Sequence, residues 1–359
     1  MPDETQQGVA AATLERYCSA VMQAAGLSEQ DAQVVAWALV VANLEGIDTH
    51  GVSRLALYAR RVKAGLASAR PAMRWSHPAP ALALLDADNA LGPVAAMAAI
   101  DEAVRLAHAQ GVGMVTVAHT NHAAALSAYT ERAAEQGCLA LMACNTPPAM
   151  PPWGGREAFL GTNPLAFATP GPTASDAPVI VDMATSLVAR GNIIMAARQG
   201  QPIPEGWAVD AEGNPTTDAQ VALNGSVLPM AGAKGYALAL MVEILSATLS
   251  GSGWGPHVHS PYNDWNSPTD SGLWCLAINL GSLMSNDEYT ARLGGLLQAV
   301  RNAPAAPGQQ IRIPGERRMQ VRAARLATGI PLDVTTRKEL DTLSEECGVR
   351  TLAAFEEQV

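Results

Sequence analysis

The sequence predicts an α/β fold, and two observations carry this prediction. Apolar residues make up 48% of the 359 residues, enough for a sizeable core, and this length is typical of about two domains. Between residues 112 and 144, two short β-rich runs flank a helical pattern: "VGMVTVAH", "NHAAALSAYTERAAEQG" and "CLALMACN". A strand–helix–strand succession of this spacing is typical of a βαβ unit, whose strands are expected to be parallel.

Helical periodicity dominates the chain before this unit. In "LSEQDAQVVAWALVVANLEG", Ser28 followed by Asp31 is close to a capping box, and Gly46 ends the pattern. Apolar residues spaced i, i+3, i+4 predict the next helix, which begins near Gly51 and stops at Gly65. Helices are therefore predicted within residues 12–44, 51–65 and 91–110.

Strands and helices alternate after the unit, whose own helix has Asn121 as its candidate N-cap. "PLAFATP", "APVIVDMATS" and "LWCLAINLG" are predicted strands, and helices are expected near residues 187–199 and in "TTRKELDTLSEECG". "PMAGAKGYALALMVEILSATLSGSG" predicts a glycine-punctuated loop that opens a long helix. Residues 252–271, rich in Pro, Ser, Asn and Trp, predict a long covering loop.

Composition and charge exclude several classes of protein. A formal net charge of −10 argues against nucleic acid and anionic membrane surfaces as partners. The five cysteines form no C-x-x-C pair, and the segment "MPDETQQGVAAATLERY" has no signal-peptide pattern, so a cytoplasmic protein with free thiols is expected. The apolar segment "GYALALMVEILSATLSG" contains Glu243 and is interpreted as a buried helix rather than a membrane span.

The common phosphate-binding and metal-binding motifs are missing. "GVGMVT" begins like a dinucleotide fingerprint, but it leads into a strand and lacks the third glycine. A P-loop is excluded because Gly235, not Ser or Thr, follows Lys234. His119 and His122 have H-x-x-H spacing without an H-E-x-x-H context, so no metal site is predicted.

Two histidines are candidate site residues. His50 and Arg54 are spaced i, i+4, which would place a proton-exchanging ring and a carboxylate-binding guanidinium on one helix face. From spacing alone, a surface pair of Arg54 with Asp48 or Glu45 is the more probable interpretation. His122 lies where a strand ends, the place where α/β proteins build their sites, although a satisfied turn residue is a fair alternative.

Three further segments could bind a ligand. Lys234 and Gly235 begin a predicted helix, where free N–H groups and a cation suit an anion. Asp182 ends a buried-looking strand and could fix a ribose, orient a histidine or cap the following helix. Thr162 lies in a Thr-Asn-Pro sequence that indicates a turn by default.

Seven motifs in a fixed order give these signals a common interpretation. The motifs are "DTHGVSR", "TNHAAAL", "GGREAFLGTNPLAFATP", "VIVDMATS", "IPEGWAVDAEGNPTTD", "PMAGAKGYALAL" and "RIPGERR". With these motifs, the chain resembles the malate/L-lactate dehydrogenase family across residues 10–355. This non-Rossmann group also contains ureidoglycolate and sulfolactate dehydrogenases and cyclic imino-acid reductases.

The resemblance implies roles for individual residues. His50 would be the proton donor, beside Thr49; His122 is the alternative acid/base, and Asp182 joins this catalytic group. Arg54 would hold the substrate carboxylate. The substrate site would also include Tyr58, His122 and Thr162, and the cofactor site would comprise His122, Thr146, Thr162, Asp182, Met183, Ala184, Lys234, Gly235, Pro314, Gly315 and Glu316.

The resemblance also implies an architecture and an assembly. Residues 1–85 would form a helical part that packs with residues 265–359 as the substrate and dimerisation domain. Residues 86–264 would form a mixed-sheet domain that binds NAD or NADP. Members of the family are typically homodimers, so a homodimer acting on a small carboxylate is expected.

Three functions follow in order of preference. The first is NAD(P)-dependent hydride transfer at C2 of a small 2-hydroxy or 2-oxo acid, of the malate or lactate type. The second is reduction of Δ1-pyrroline-2-carboxylate or Δ1-piperideine-2-carboxylate, favoured by "HAAAL", where Ala124 replaces the glycine of many members. The third is a catalytically silent dinucleotide-binding regulator, suggested by the departures near Lys234, where Ala231 and Ala233 replace Gly and His, and by Ala124.

Overall fold

The computed structural model describes residues 8–173 and 175–357, and within these ranges the chain forms an α/β fold. The fold class predicted from the sequence is thereby confirmed. The helices are α1 (Ala11–Ala24), α2 (Glu29–Leu44), α3 (Leu55–Lys63), α4 (Gly92–Gln110), α5 (Ser127–Glu135), α6 (Arg190–Arg198), α7 (Ala219–Asn224), α8 (Ala233–Glu243), α9 (Asn286–Arg301), α10 (Glu316–Thr328), α11 (Val334–Cys347) and α12 (Leu352–Glu356). The strands are β1 (Arg74–Ala79), β2 (Leu82–Asp86), β3 (Val112–Thr120), β4 (Cys138–Cys144), β5 (Leu165–Thr169), β6 (Val179–Met183), β7 (Ala208–Val209), β8 (Pro215–Thr216), β9 (Ser226–Val227) and β10 (Ser271–Asn279).

A seven-stranded mixed sheet organises the molecule, with the order β1-β2-β3-β10-β4-β5-β6. Only β2 and β3 pair in parallel; the other neighbours are antiparallel. Strands β7, β8 and β9 form a small separate sheet in the order β8-β7-β9. The carboxyl ends of β3, β4 and β6 lead into the predicted site segments.

The strand–helix–strand unit differs from the prediction in one respect. Strands β3 and β4 run in the same direction, but β10 lies between them and pairs antiparallel with both. Val115, Cys275 and Met142 lie side by side across the three strands, and all three are fully buried. A strand more than 120 residues downstream therefore completes the centre of the sheet, which local periodicity cannot reveal.

Helix ends follow the sequence signals in one place and depart from them in another. The Ser28 side chain accepts a hydrogen bond from the Asp31 N–H at 3.0 Å, which confirms the predicted cap of α2. Asn121 as the N-cap of α5 is wrong: its amide donates to the Ala90 carbonyl at 2.9 Å, and the helix begins six residues later at Ser127. The intervening turn carries His122 instead.

Two hydrophobic clusters hold the fold together. The larger one joins α1 to α4 with the central strands, and Leu39, Ile100 and Val117 are fully buried in it. The second lies around α6, α7 and α8 and includes Ile193 and Ala239. Among the helices that the structure describes, none has the length and hydropathy of a membrane span. The domain boundaries stay a prediction, and residues 1–7 of the N-terminal segment lie outside the described residues.

Candidate active site

Two short 3₁₀ turns, Asp48–His50 and Val52–Arg54, carry the "DTHGVSR" motif. The prediction that His50 and Arg54 share one α-helical face is wrong, because the chain is extended at Gly51 and α3 begins only at Leu55. A Cβ on Gly51 would lie 2.1 Å from Oδ1 of Asn43, which accepts the Val52 N–H at 2.8 Å. The glycine therefore allows helix α2 to brace the turn that presents His50.

The His50 ring is held for proton exchange as a neutral group. Its Nδ1 lies 3.0 Å from Oγ1 of Thr49, which leaves Nε2 as the atom open to a ligand. The pKa of His50 is lowered to about 4, first by burial and second by the Arg54 guanidinium. Asp182 acts in the opposite direction. The neutral state of the ring thus comes first from burial.

His122 stacks on His50 at the end of strand β3. The ring centroids lie 5.5 Å apart, with 26° between the ring planes. The Tyr58 hydroxyl lies 2.7 Å from His122 Nδ1 and 3.1 Å from its backbone oxygen, which fixes the orientation of the ring. Burial lowers the pKa of His122, and the nearby His50 adds to this effect. Tyr58, only 2% exposed, has its own pKa raised by burial, so its hydroxyl stays protonated.

Arg54 lies beside the two rings and is not neutralised by either acid considered from the sequence. Its Nε donates to the Thr49 carbonyl at 2.6 Å, and its guanidinium lies 5.2 Å from the centre of the Tyr262 ring. Asp48 pairs instead with Arg325 at 2.6 Å. Among the residues that the structure describes, no carboxylate forms a salt bridge with Arg54, so its terminal nitrogens can hold a substrate carboxylate in a bidentate pair.

The second acid, Glu45, belongs to a buried charge network that sequence reasoning missed. Its side chain has no exposed surface, and its two oxygens lie 3.2 Å from Arg318 and 2.7 Å from Arg322. Arg322 also binds Glu131, with a nitrogen–oxygen distance of 2.5 Å. Burial raises the pKa of Glu45, while Arg322 opposes this shift. Helix α10 thereby docks against α2 and α5 through paired buried charges.

The network reaches the site through Asp182. Arg318 donates to the Asp182 carbonyl at 3.0 Å and to Ser127 Oγ at 2.7 Å. The Ser127 N–H in turn donates to the Asp182 carboxylate at 3.1 Å. Asp182 therefore caps the start of α5, which precedes it in the chain, rather than the helix that follows. The i, i+4 spacing of Arg318 and Arg322 was the available signal, but their acid partners come from distant segments.

Thr146 and Thr162 face each other across the ends of neighbouring loops. Their hydroxyl oxygens lie 3.5 Å apart, and Asn163 Oδ1 accepts the Thr146 N–H at 3.1 Å. The Asn163 amide donates to Glu243 at 2.6 Å, and Asn145 donates to the same carboxylate at 3.2 Å. Glu243 is 5% exposed, so this buried acid of α8 fixes the positions of both threonine loops.

The segment from Asp182 to Thr185 contains Met183 and Ala184, two residues of the predicted cofactor site. Thr185 donates its backbone N–H to the Thr162 carbonyl at 2.9 Å and accepts the Met230 N–H at 3.0 Å. Met183 is 40% exposed, and Ala184 is half-buried between these contacts. The end of β6 therefore links the threonine loops to the loop before α8.

Lys234 and Gly235 lie in the first turn of α8, as predicted. Gly232 is the N-cap and provides no side chain to bind the free N–H groups of this turn, and Lys234 is exposed. A Cβ on Gly235 would lie 2.1 Å from the Met230 carbonyl oxygen, so only glycine allows the loop to fold tightly onto the helix. Free N–H groups and a lysine at a helix N-terminus suit a phosphate group.

Pro314, Gly315 and Glu316 pack against the outer strand of the sheet. The Pro314 carbonyl accepts the Ile180 N–H at 3.2 Å, and Gly315 is the N-cap of α10. Glu316 binds Arg301 at 2.7 Å and accepts the Ile313 N–H, so its carboxylate has structural partners.

The fold and the site together define a class of protein. A stacked pair of neutral imidazoles and an adjacent arginine are groups that exchange protons and hold a carboxylate, and the N-terminus of α8 with its lysine suits a phosphate. These are the groups that a dehydrogenase requires. Tyr262, which sequence reasoning did not single out, forms one side of this site. The structure offers no cluster of three or more His, Cys, Asp or Glu side chains for a metal ion within residues 8–173 and 175–357.

The chain belongs to the malate/L-lactate dehydrogenase family, whose profile matches residues 9–341. This confirms the resemblance inferred from the seven motifs and makes the protein a member of a family of oxidoreductases.

Three relatives illustrate the range of the family. L-sulfolactate dehydrogenase of Methanocaldococcus jannaschii is 36% identical over 329 residues, covering 92% of this chain and 94% of the relative. A solved sulfolactate dehydrogenase from that organism has a TM-score of 0.89 and covers 96% of this chain and 98% of its own. Ureidoglycolate dehydrogenase (NAD(+)) of Escherichia coli K12 is 36% identical over 293 residues, 81% of this chain and 83% of the relative. The solved Δ1-piperideine-2-carboxylate reductase from Pseudomonas syringae pvar. tomato is 29% identical, with a TM-score of 0.84 over 95% of this chain and 99% of its own.

Proposed function

We propose that the protein is an NAD(P)-dependent oxidoreductase that acts at C2 of a small 2-hydroxy or 2-oxo acid, of the malate or lactate type. The observation that carries this proposal is the arrangement of His50 and His122 beside the unneutralised guanidinium of Arg54. Proton exchange and carboxylate binding are the two functions that a protein must supply for such a substrate.

His50 is the proposed proton donor and acceptor. Thr49 engages its Nδ1, so Nε2 is the nitrogen that exchanges a proton with the oxygen on C2. A ring whose pKa lies near 4 is neutral at pH 7 and accepts a proton from a hydroxyl during oxidation. During reduction, the anionic substrate favours the protonated ring, because a negative charge nearby raises a histidine pKa.

Arg54 is the proposed carboxylate clamp. Its Nε is fixed by the Thr49 carbonyl, so the guanidinium plane is set before a substrate arrives. Its guanidinium carbon lies over the Tyr262 ring, 5.2 Å from the ring centre, and its terminal nitrogens remain to bind the carboxylate oxygens. Fixing the carboxylate also fixes the distance from C2 to the two histidine rings, which is how a clamp contributes to the rate.

The donor set of this chain fits a nicotinamide dinucleotide, which when bound supplies or accepts the hydride. The free N–H groups at the start of α8 and the exposed Lys234 suit its phosphates. Thr146 and Thr162 offer two hydroxyls 3.5 Å apart for its polar groups, and Met183 offers an exposed apolar side chain. Asp182, Ala184 and the segment Pro314–Glu316 complete the proposed cofactor site. Either NAD or NADP is compatible with these groups.

A substrate screen tests the proposal. Pyruvate, oxaloacetate, lactate, malate and Δ1-pyrroline-2-carboxylate are assayed with NADH, NADPH, NAD or NADP by absorbance at 340 nm. Turnover of a 2-oxo or 2-hydroxy acid supports the proposal, and the Lys234→Met variant is then expected to raise KM for the cofactor. If the dinucleotide binds but no acid reacts, the protein is better described as a silent dinucleotide-binding regulator.

One observation favours a second candidate, reduction of a cyclic imino acid. Ala124, which follows His122 by two residues, has a positive φ of 58°, a conformation that usually selects glycine. The alanine at this strained position, in the sequence "HAAAL", and the structural likeness to Δ1-piperideine-2-carboxylate reductase support this candidate. A higher kcat/KM for Δ1-pyrroline-2-carboxylate than for any 2-oxo acid would favour it.

We also propose that the protein acts as a homodimer in the cytoplasm, in which residues 1–85 and 265–359 form the substrate and dimerisation part. Exposed apolar side chains within residues 265–359 support an interface between two copies: Leu283, Leu296, Leu326 and Val334. Light scattering is expected to give a mass of twice 37.3 kDa. A mass equal to that of one chain would contradict the homodimer.

A further inference from the structure

Residues 260–267, here called the Tyr262 loop, cover the site from a distant part of the sequence. The loop reads "SPYNDWNS" and contains no Lys, Arg or His. Tyr262 places its ring 5.2 Å from the Arg54 guanidinium, and its phenol is close enough to Tyr58 to influence the pKa of that residue. The loop therefore reaches both the carboxylate clamp and the tyrosine that orients His122.

A single buried arginine holds this loop in place. Arg61 is 2% exposed, and its guanidinium donates to the backbone carbonyls of Asp264 and Ser267, both at 2.8 Å. It also lies 5.7 Å from the centre of the Trp265 ring. These partners are backbone oxygens and an aromatic face, not a carboxylate. The Arg61 Nε is buried without a hydrogen-bond partner, so the two terminal nitrogens carry these contacts with the loop. Displacement of the loop would leave the buried charge without them, which fixes the loop in place.

The loop is also braced internally. Asp264 Oδ1 accepts the N–H groups of Asn266 and Ser267, at 2.8 and 3.1 Å, and Oδ2 lies 3.0 Å from His259. Trp265 donates its indole N–H to the Tyr262 carbonyl at 3.2 Å. The one acid of the loop is thus engaged, and Tyr262 is held at a defined position.

Helix α3 and the residue before it join these functions on one face. Arg54, Tyr58 and Arg61 are spaced i, i+4, i+7, so the clamp, the partner of His122 and the anchor of the loop point the same way. A substrate held by Arg54 therefore has the Tyr262 loop beside it. On that side it meets an aromatic ring and a hydroxyl, with no cation supplied by the loop.

We propose that the Tyr262 loop selects the substituent on C2 of the substrate, and that it favours an uncharged substituent over a second anionic group. Tyr262 is the residue in contact with that substituent, and Arg61 is a positioning residue that acts through the loop. A second carboxylate or sulfonate placed against the Tyr262 ring would lose its hydration without gaining a cationic partner. Binding of a substrate with such a group is therefore disfavoured. This inference rests on the proposed function and narrows its substrate class to monocarboxylates.

The test compares kcat/KM for 2-oxobutyrate, Δ1-pyrroline-2-carboxylate and oxaloacetate. The wild-type protein is expected to prefer one of the first two to oxaloacetate by about tenfold or more, the range of a single pocket contact. Tyr262→Arg places a cation in the wall and is expected to shift that ratio toward oxaloacetate by about tenfold or more. A ratio between substrates is independent of the folded fraction of a variant, so loss of stability alone cannot produce the shift.

Arg61 is tested in the same assay. Arg61→Met is expected to reduce the preference, with Arg61→Lys intermediate, while the cofactor dissociation constant from fluorescence titration stays unchanged. Arg60→Met is the matched control, since Arg60 on the same helix makes an exposed pair with Glu346. A wild-type preference for oxaloacetate, or an unchanged ratio in Tyr262→Arg, would overturn the inference alone. Turnover of none of the three acids would overturn the proposed function itself, and the inference with it.

Discussion

The imidazole rings of His50 and His122 stack with their centroids 5.5 Å apart and 26° between their planes. Two imidazolium charges at that distance repel each other, and burial weakens the screening of that repulsion by water. The pair therefore carries at most one positive charge, and both rings are neutral near pH 7. Each ring also has one nitrogen engaged, by Thr49 in one case and by Tyr58 in the other. The stacked rings thus exchange one proton with a substrate, and His50 is expected to contribute more to this exchange than His122.

The pH dependence of oxidation follows from the low pKa of His50. Oxidation of a 2-hydroxy acid needs the neutral ring as proton acceptor, and burial holds that pKa at about 4. We expect kcat/KM, which reports groups of the free enzyme, to stay level from pH 8 to pH 5 and to decline as pH falls through about 4. A decline centred near the ordinary histidine pKa of about 6.5 would contradict a buried base.

Substitution of each histidine separates their roles. His50→Asn is expected to lower kcat by about 10²–10⁴-fold, the usual contribution of general acid–base catalysis, and to leave the cofactor dissociation constant unchanged. His122→Asn is expected to lower kcat less than His50→Asn does. His122 is held by Tyr58 through its Nδ1 and does not lie on the turn that carries the proposed proton donor. Single-turnover rates and fluorescence titration give the two quantities. Turnover near the wild-type level in His50→Asn would exchange the two assignments.

Removing Arg322 tests the buried charge network between α2, α5 and α10. Arg322→Met leaves Glu45 and Glu131 buried without their shared cation, and breaking such a pair typically costs about 3–5 kcal/mol. The missing cation raises the pKa of Glu45 further, so the folded state gains protons as pH falls. The loss of free energy of unfolding relative to wild type should therefore be smaller at pH 5.5 than at pH 8.

Urea denaturation at the two pH values measures this loss. Arg60→Met is the control, because it breaks an exposed pair with Glu346 that is worth about 1 kcal/mol or less. An Arg322→Met variant with the same stability as that control, or with a loss independent of pH, would show that the network does not stabilise the fold.

Glu243 is expected to act on cofactor binding from a distance. Its carboxylate accepts from Asn163 at 2.6 Å, Asn145 at 3.2 Å and the Gly255 N–H at 2.7 Å. Glu243→Gln brings an amide N–H₂ against one of these donors, at a cost of about 1–3 kcal/mol for the unpaired group. Because the network fixes Thr146 and Thr162, KM for the cofactor should rise more than KM for the acid. Glu288→Gln, in an exposed pair with Arg292, is the control that should change neither.

Particular residues show how far the sequence can be interpreted. The N-terminal cap of α2 can be predicted from the sequence, because its two partners, Ser28 and Asp31, are only three residues apart. Asn121 has the same chemistry, yet it bonds to Ala90 on another segment, and nothing within its own helix pattern indicates that partner. The i, i+4 spacing of His50 and Arg54 predicts one α-helical face, but two 3₁₀ turns carry these residues, and both still border one site.

The sequence by itself determined the α/β class, the family and the order of the motifs, because these depend on residue types and on contacts between near neighbours in the chain. Tertiary structure alone decided that β10 separates β3 from β4, that Arg318 and Arg322 bind acids from α2 and α5, and that Arg61 draws the Tyr262 loop over Arg54. Each of these contacts joins segments that lie far apart in sequence. Their formation depends on burial and on the pairing of charges removed from water, and neither leaves a periodic signal in the amino-acid sequence.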